Sequence, residues 1–396
     1  MAFEPSPPRP PEAEALLRFL TAAPEERPRL APSVADAVGA DTLERIVQAT
    51  LARTGRPVTV TDSPDGLLVT GEEGQVRVWA RAAPDGELIA LYLEGARHTP
   101  PRRRRLRLPY GLLALLLTLW NVVALWTAPD RTAWFTGLTV LAVCCVLAEG
   151  LGAPARQPRL PRRTVEAGVV VAALGSAFRL PGLPSGGGVL GLAGGGVLLV
   201  ALVVLVAVAR MYSWRAPLSQ PLRFPLEGEW YVVQGGGRPL NHHARIPEQR
   251  GAVDLVGLGR YGTRTRGDHE LTAFAAYGRA VRAPCDGLVV SAEGSIEDQD
   301  ARPGGRARYQ PPYGNHVFVD TGREIVKLAH LRAGSLTVSL GETVRVGQLI
   351  GETGNSGNTS EPHLHLHAER DGVGLDLRFT DVPGRLYRGR AIRTFP

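Results

Sequence analysis

Between Arg102 and Arg107 five arginines abut the run "YGLLALLLTLWNVVALWTA", which is about long enough to cross a hydrocarbon core and carries Trp120 and Trp126 toward its far end. A short "PDR" turn leads to a second apolar run near Trp134 to Ala148, followed by "PARQPRLPRR" with four arginines. The alternation of basic and near-neutral connections predicts a helical hairpin with its N-terminus in the cytoplasm. A shorter apolar stretch from Val165 to Phe178 and a longer one from Gly186 to Ala209, rich in Gly, Val and Leu, follow. Three spans would export whatever comes next, and four would return it to the starting side. Arg210, Arg215 and Arg223 favour the cytoplasmic side for the part that follows. The glycines of "GGGVLGLAGGG" suit close helix packing in a bilayer, and equally suit a loosely packed helix facing lipid.

This apolar middle divides the chain into a multidomain protein: a small α+β domain over 1–100, a transmembrane region of three or four helices over 101–215, and an all-β domain over 216–396. In the first part, helical patterns near Glu12 to Ala22 and Asp41 to Thr54 precede four β-prone runs, "PVTVTD", "GLLVTG", "QVRVWARA" and "ELIALYLE". Turn residues between the runs predict an antiparallel meander with the helices on one face. The N-terminus has no apolar core before its acidic residues and does not read as a signal peptide, so export of a later domain depends on the internal spans.

The formal net charge of +7 is carried almost entirely by arginine. Much of it sits beside the apolar runs, where cations meet lipid head groups, and no basic face interleaved with aromatics appears in either soluble part. The lipid bilayer is therefore the expected partner and nucleic acid is not. Three cysteines, two of them adjacent in an apolar run (Cys144, Cys145), provide no disulfide framework, and Cys285 reads as a small buried residue at a strand start.

From Pro221 onward, short β-prone runs alternate with Gly-, Pro- and Asn-rich turns. Eight of the nine histidines fall between Asn241 and His367. In "PHLHLHAE" a strand would place His363, His365 and His367 on one face, and paired imidazoles there form a natural half-site for zinc. Asp254 interrupts the apolar run "AVDLV", where a carboxylate is costly unless a cation or hydrogen bonds compensate it. His316 in "YGNHVFVD", with His98 and His269, takes a supporting or solvated reading, and "VSLGETVRVGQLIGETG" reads as a β-hairpin with two glycine turns.

The ordered series "EWYVVQGG", "NHH", "QRGAVDLV", "VRAPCDGLVV", "YGNHVFVD", "VKLAHL" and "GNSGNTSEPHLHLHAE" resembles the LytM/lysostaphin-like zinc metallopeptidases across most of their catalytic domain. The resemblance implies an antiparallel, barrel-sandwich-like β fold with Zn2+ bound in a groove. By position it makes His365 and Asp254 metal ligands and His330 and His363 the catalytic pair. The family's usual further ligand stands four residues before the aspartate, and that position here is Arg250. In a branch of the family an upstream Asn-x-His element serves instead, which maps to Asn241 and His243, with His242 as the alternative. The hairpin resembles the capping sheet of small carrier domains but contains no lysine to be modified.

The activity so implied is hydrolysis of peptide bonds in peptidoglycan cross-links or stem peptides by a zinc-activated water, at the bacterial plasma membrane, with the peptidase domain extracytoplasmic. The arginines after the last apolar run argue against that side. A non-catalytic LytM-like regulator of another wall hydrolase is the competing reading, and such regulators typically lack metal ligands.

Overall fold

A computed structural model describes residues 11–63, 66–94, 110–268, 270–301 and 311–394. The arginine run at 102–107, together with His98 and His269, lies outside these residues.

The N-terminal part begins with helices α1 (Pro11–Thr21), α2 (Arg27–Leu30), α3 (Pro32–Val38) and α4 (Ala40–Thr54). α2 and α3 are short helices that the sequence pattern did not single out, each opened by a proline in its first turn. A meander of β1 (Pro57–Ser63), β2 (Gly66–Gly71), β3 (Gln75–Ala82) and β4 (Leu88–Leu93) follows, every neighbour antiparallel. Ala13, Leu16 and Leu20 of α1 and Leu43 and Val47 of α4 recur at helical spacing and are buried against Val60, Leu67, Val69, Val76 and Val78 of the sheet.

Four apolar helices come next: α5 (Tyr110–Thr127), α6 (Arg131–Cys145, continued by a π turn to Leu151), α7 (Arg159–Ser176) and α8 (Val189–Met211). The stretches Arg131–Leu151, Arg159–Gly182 and Val189–Met211 are long and apolar enough to cross a membrane. Phe178 and Leu190 are each 91% exposed, and neighbouring large apolar side chains are similarly bare, a surface suited to lipid rather than water. The connections alternate between two ends of this bundle. At one end, Arg131 bonds the carbonyls of Leu180 and Pro181, and Arg179 bonds those of Leu125 and Ala128. At the other, Arg210 reaches the carbonyl of Glu149, and the C-terminal domain begins.

That domain contains β5 (Gly228–Gln234), β6 (Val253–Gly257), β7 (Ala280–Arg282), β8 (Gly287–Glu293), β9 (Asn315–Asp320), β10 (Ile325–Leu331), β11 (Thr343–Val344), β12 (Leu349–Glu352), β13 (Leu364–Arg370), β14 (Val373–Gly374) and β15 (Ala391–Thr394). The main antiparallel sheet runs β11-β8-β9-β10-β13-β6-β5-β15, with β14 paired to β13. The segment read as one hairpin is instead shared between two sheets: β11 pairs β8, whereas β12 pairs β7. A turn at Arg345 to Gln348 carries the chain from one sheet to the other, and the connection from β7 to β8 crosses beside it. One face of the main sheet covers a core of Val232, Val253, Leu255, Leu328, Leu364 and Leu366. The residues alternating with them point the other way and build the site.

Candidate metal centre

Pairing of β13 with β6 sets His365 opposite Asp254, and pairing with β10 sets it opposite Ala329. The alternation that buries Leu364, Leu366, Val253 and Leu255 in the core therefore turns Asp254, His365 and His367 to the other face. Asp254 Oδ1 lies 2.9 Å from His365 Nδ1. Asp254 Oδ2 lies 3.0 Å from His243 Nε2. Asp254 Oδ1 is also 3.8 Å from His363 Nε2.

His243 reaches this position through a folded-back loop. Asn241 donates to the carbonyl of Ala252 at 2.9 Å, and its side-chain oxygen accepts the backbone N–H of His243 at 3.1 Å, clamping the loop to the start of β6. His243 Nδ1 sits 3.0 Å from Gln249 Oε1, an acceptor only, so this nitrogen donates and Nε2 faces Asp254. Gln249 is fixed in turn by the hydroxyl of Tyr313 at 3.1 Å. Arg250, at the position where the resemblance seeks a histidine, points away: its Nε donates to the carbonyl of Gly374 and its guanidinium lies over the Trp214 ring. His242 packs on His243 with ring centroids 3.9 Å apart and planes tilted by 39°, is exposed, and has a donor atom in reach of His243 and Asp254.

His330 enters by a backbone irregularity. The register of β10 against β9 slips between Ala329 and Leu331, leaving His330 as an extra residue with φ of 63°. Strict alternation would send its side chain into the core. The left-handed bulge residue turns it to the site instead. His330 Nδ1 donates to the carbonyl of Ser356 at 2.9 Å, and His363 Nδ1 donates to the carbonyl of Glu361 at 2.8 Å, with ring centroids 4.6 Å apart. Each thus keeps Nε2 for the centre. Burial, reinforced by the nearby His363, pushes the His330 imidazole down to about 3.

Burial pushes the Asp254 carboxyl up, but the surrounding imidazoles outweigh this and hold it well below the usual carboxylate range. Burial holds His365 neutral, whereas Asp254 offsets the burial of His243 and raises it. An ionised carboxylate and imidazoles with ring nitrogens turned inward form a donor set of the kind zinc takes. The two carboxylate–imidazole separations, 2.9 and 3.0 Å, approach the edge of about 3.3 Å expected for a tetrahedron with bonds of about 2.0–2.1 Å, and the donor atoms of His242, His243 and Asp254 all lie within 4.8 Å of one another. The residues therefore fit a divalent ion.

Supporting residues that the sequence did not reveal are Gln249, Tyr313, Glu361 and the pair Lys327 and Glu369. All lie within the quoted segments, but their residue types do not by themselves mark them as partners of the site. His367 lies behind His365, its Nδ1 2.9 Å from His365 Nε2. His316 is occupied by Ser291 at 2.9 Å and the carbonyl of Gly314 at 2.8 Å and turns its nitrogens to these groups rather than to Asp254. Burial pushes the Cys285 thiol up to about 12, which leaves it unreactive.

Residues 267–377 match the family model of Peptidase family M23. His330, His363 and His365 fall inside that segment, and His243 and Asp254 precede it. No curated protein matches the chain. Similar solved structures include a putative peptidase M23 from Pseudomonas aeruginosa, 20% identical, covering 44% of this chain and 57% of that one, with a TM-score of 0.25. The chain thus spans a little over half the length of that protein. The catalytic domain of lysostaphin from Staphylococcus simulans is 19% identical, covering 38% of this chain and 80% of that one, TM-score 0.21. A zinc containing peptidase from Vibrio cholerae is 18% identical, covering 43% and 40%, TM-score 0.23.

Proposed function

We propose that the C-terminal domain, whose residues 267–377 belong to Peptidase family M23, is a membrane-anchored zinc-dependent endopeptidase acting on peptides of the peptidoglycan type. The observation that carries this reading is the Asp254 carboxylate with His243 and His365 at 2.9–3.0 Å, beside the separate imidazole pair His330 and His363. His243, Asp254 and His365 would hold the ion. A zinc ion in such a set supplies Lewis acidity and makes a water acidic enough to react near neutral pH. The chain's own part is proton handling at two Nε2 atoms. One of His330 and His363 takes a proton from the attacking water. The other, protonated, donates a hydrogen bond to the oxyanion that develops on the scissile carbonyl.

Purified full-length protein in detergent is expected to hold one zinc per chain, lost with His365→Ala and kept with His363→Ala. Both variants lose digestion of isolated wall material, His363→Ala by about 10²–10⁴-fold. Stoichiometric zinc in His365→Ala overturns the ligand assignment. A zinc-loaded wild type that cleaves nothing, yet activates a second hydrolase, supports the regulator instead.

One observation favours a second reading of where the substrate is met. Arg77 and Arg81 of the N-terminal domain pair with Glu293 and Glu248 of the peptidase domain, so both domains lie at one end of the helical bundle. That end also collects Arg156, Arg159, Arg162, Arg163, Arg210 and Arg215, against Arg131 and Arg179 at the other. If the shorter apolar helix α5 crosses as well as the three long stretches, this asymmetry puts the peptidase in the cytoplasm by the positive-inside rule and makes its substrate a cytoplasmic peptide. A reporter fused after Pro396 decides: alkaline phosphatase activity supports the wall-facing reading, and fluorescence of a cytoplasm-dependent protein supports the second.

A further inference from the structure

The sheet face that carries the metal centre continues past it as an apolar strip. Val256 follows Asp254 on the same face of β6, and extending the pairing of β6 with β13 by one residue sets it level with His363. Tyr231 and Val233 of β5 adjoin it. This strip is covered by the connection between α6 and α7, residues 152–158, whose Ala155 is buried with Tyr231, Val233 and Val256 while Ala153 packs beside it. The segment is tied down at both ends, by Arg388 to the carbonyl of Leu151 at 2.9 Å and by Arg159 to Glu229 at 3.0 Å. It also touches backbone: a Cβ on Gly262 would meet the carbonyl oxygen of Arg156 at 2.2 Å.

The contact with chemical meaning is Arg156 on Glu361, 2.5 Å, in which the carboxylate side chain is 6% exposed and the guanidinium 45%. Glu361 also accepts from the Thr263 hydroxyl at 3.3 Å, and its own carbonyl orients His363. A carboxylate this buried is costly without a cation. Its cation comes from outside, on a segment that lies along the strip a peptide substrate would have to cross to reach His363.

We propose that Glu361 is a subsite for a cationic side chain of the substrate, and that Arg156 fills it as an internal substrate mimic, so that residues 152–158 must withdraw before a peptide binds. This rests on the peptidase reading above. It assigns to that site a preference for a cationic residue alongside small ones, as in the segment's own "GAPAR". It also couples access to the membrane helices, because the segment is the short link between α6 and α7.

Two measurements on full-length, zinc-loaded protein in detergent test it. Hydrogen exchange of the amides of 152–158 is expected to be slow in wild type and about ten- to a hundredfold faster in Glu361→Gln and Arg156→Glu, the range for losing one charged hydrogen-bonded pair, with Arg156→Lys near wild type. Binding of the amidated peptide Gly-Ala-Pro-Ala-Arg, and of the same peptide ending in Gln, is measured by calorimetry. Arg156→Ala is expected to bind the Arg peptide at least tenfold tighter than the Gln peptide and tighter than wild type does, and adding Glu361→Gln is expected to abolish the preference. Unchanged exchange in both charge variants, equal binding of the two peptides by Arg156→Ala, or no binding of either overturns the proposal. Zinc content is read on every sample. Loss of zinc in wild type counts against the peptidase reading, whereas failure with zinc retained counts against this subsite alone.

Discussion

His365 Nε2 lies 2.9 Å from His367 Nδ1, so the imidazole that turns one nitrogen to Asp254 is gripped by the other from behind. The chain of contacts goes on. His367 Nε2 faces Glu369 at 3.6 Å, and Glu369 pairs at 2.9 Å with Lys327, the only lysine in the sequence. With His365 Nδ1 reserved for the centre, Nε2–H donates to His367, which fixes the tautomer and the ring plane. His367→Ala is expected to weaken zinc binding about 10–100-fold in competition with a chromophoric chelator, and His367→Gln, which can still accept, to recover part of it. Affinity unchanged in His367→Ala would mean that His365 is positioned by its strand alone.

The bulge at His330 makes a prediction about backbone rather than chemistry. Its φ of 63° is a conformation that glycine adopts freely and an alanine adopts at a cost of about 1–2 kcal/mol. His330→Gly and His330→Ala both remove the imidazole and its bond to the Ser356 carbonyl. Wall digestion is expected to fall equally in the two, while the Gly variant is the more stable by about 1 kcal/mol in urea unfolding. An Ala variant as stable as the Gly variant would show that the strand straightens once the histidine is gone.

Period-two patterning carried much of this site. Asp254 among valines and leucines, and three histidines at alternate positions, announce a strand face with polar work to do, and β6 and β13 pair so that Asp254 and His365 meet. What patterning could not reach are side chains delivered by irregular backbone. His330 depends on a slipped register, His243 on a loop held by Asn241, and Glu361 on a turn, and none of these leaves a periodic trace. The segment Asn241-His242-His243 offers an imidazole by residue type, the choice of His243 and the role of His330 rest on the resemblance, and Glu361 carries no signal at all. The hairpin expected around β11 and β12 divides between two sheets for a related reason: glycine turns reveal where the chain bends but not which sheet each arm joins. The apolar runs of the middle were legible in position, and their ends were set by proline, glycine and arginine.

The contact between the two soluble domains is electrostatic and should respond to pH and salt. Burial pushes the Glu293 carboxyl up, but the hydroxyl and N–H of Ser295 and the Arg77 guanidinium outweigh it and hold it down to about 2. Only the part of this lowering that Arg77 supplies belongs to the contact between the domains, and that part is lost as the pH falls toward about 2 and Glu293 takes up a proton. Arg77 is 41% exposed, so the pair with Glu293 is worth roughly 1 kcal/mol or less, and the pair of Arg81 with Glu248 is of the same kind. Two such pairs are screened within a few ångströms at about 1 M salt. Cross-linking between cysteines introduced at Arg81 and Glu248, a change that leaves Arg77 with Glu293 as the remaining charge pair, is expected to be efficient at pH 7 in low salt. It should fall several-fold in 1 M sodium chloride or with Arg77→Glu, and Glu293→Arg added to Arg77→Glu should restore it. Zinc content should stay constant throughout, since neither pair includes a residue of the centre. Cross-linking indifferent to salt and to charge reversal would mean that the helices alone bring the two domains together.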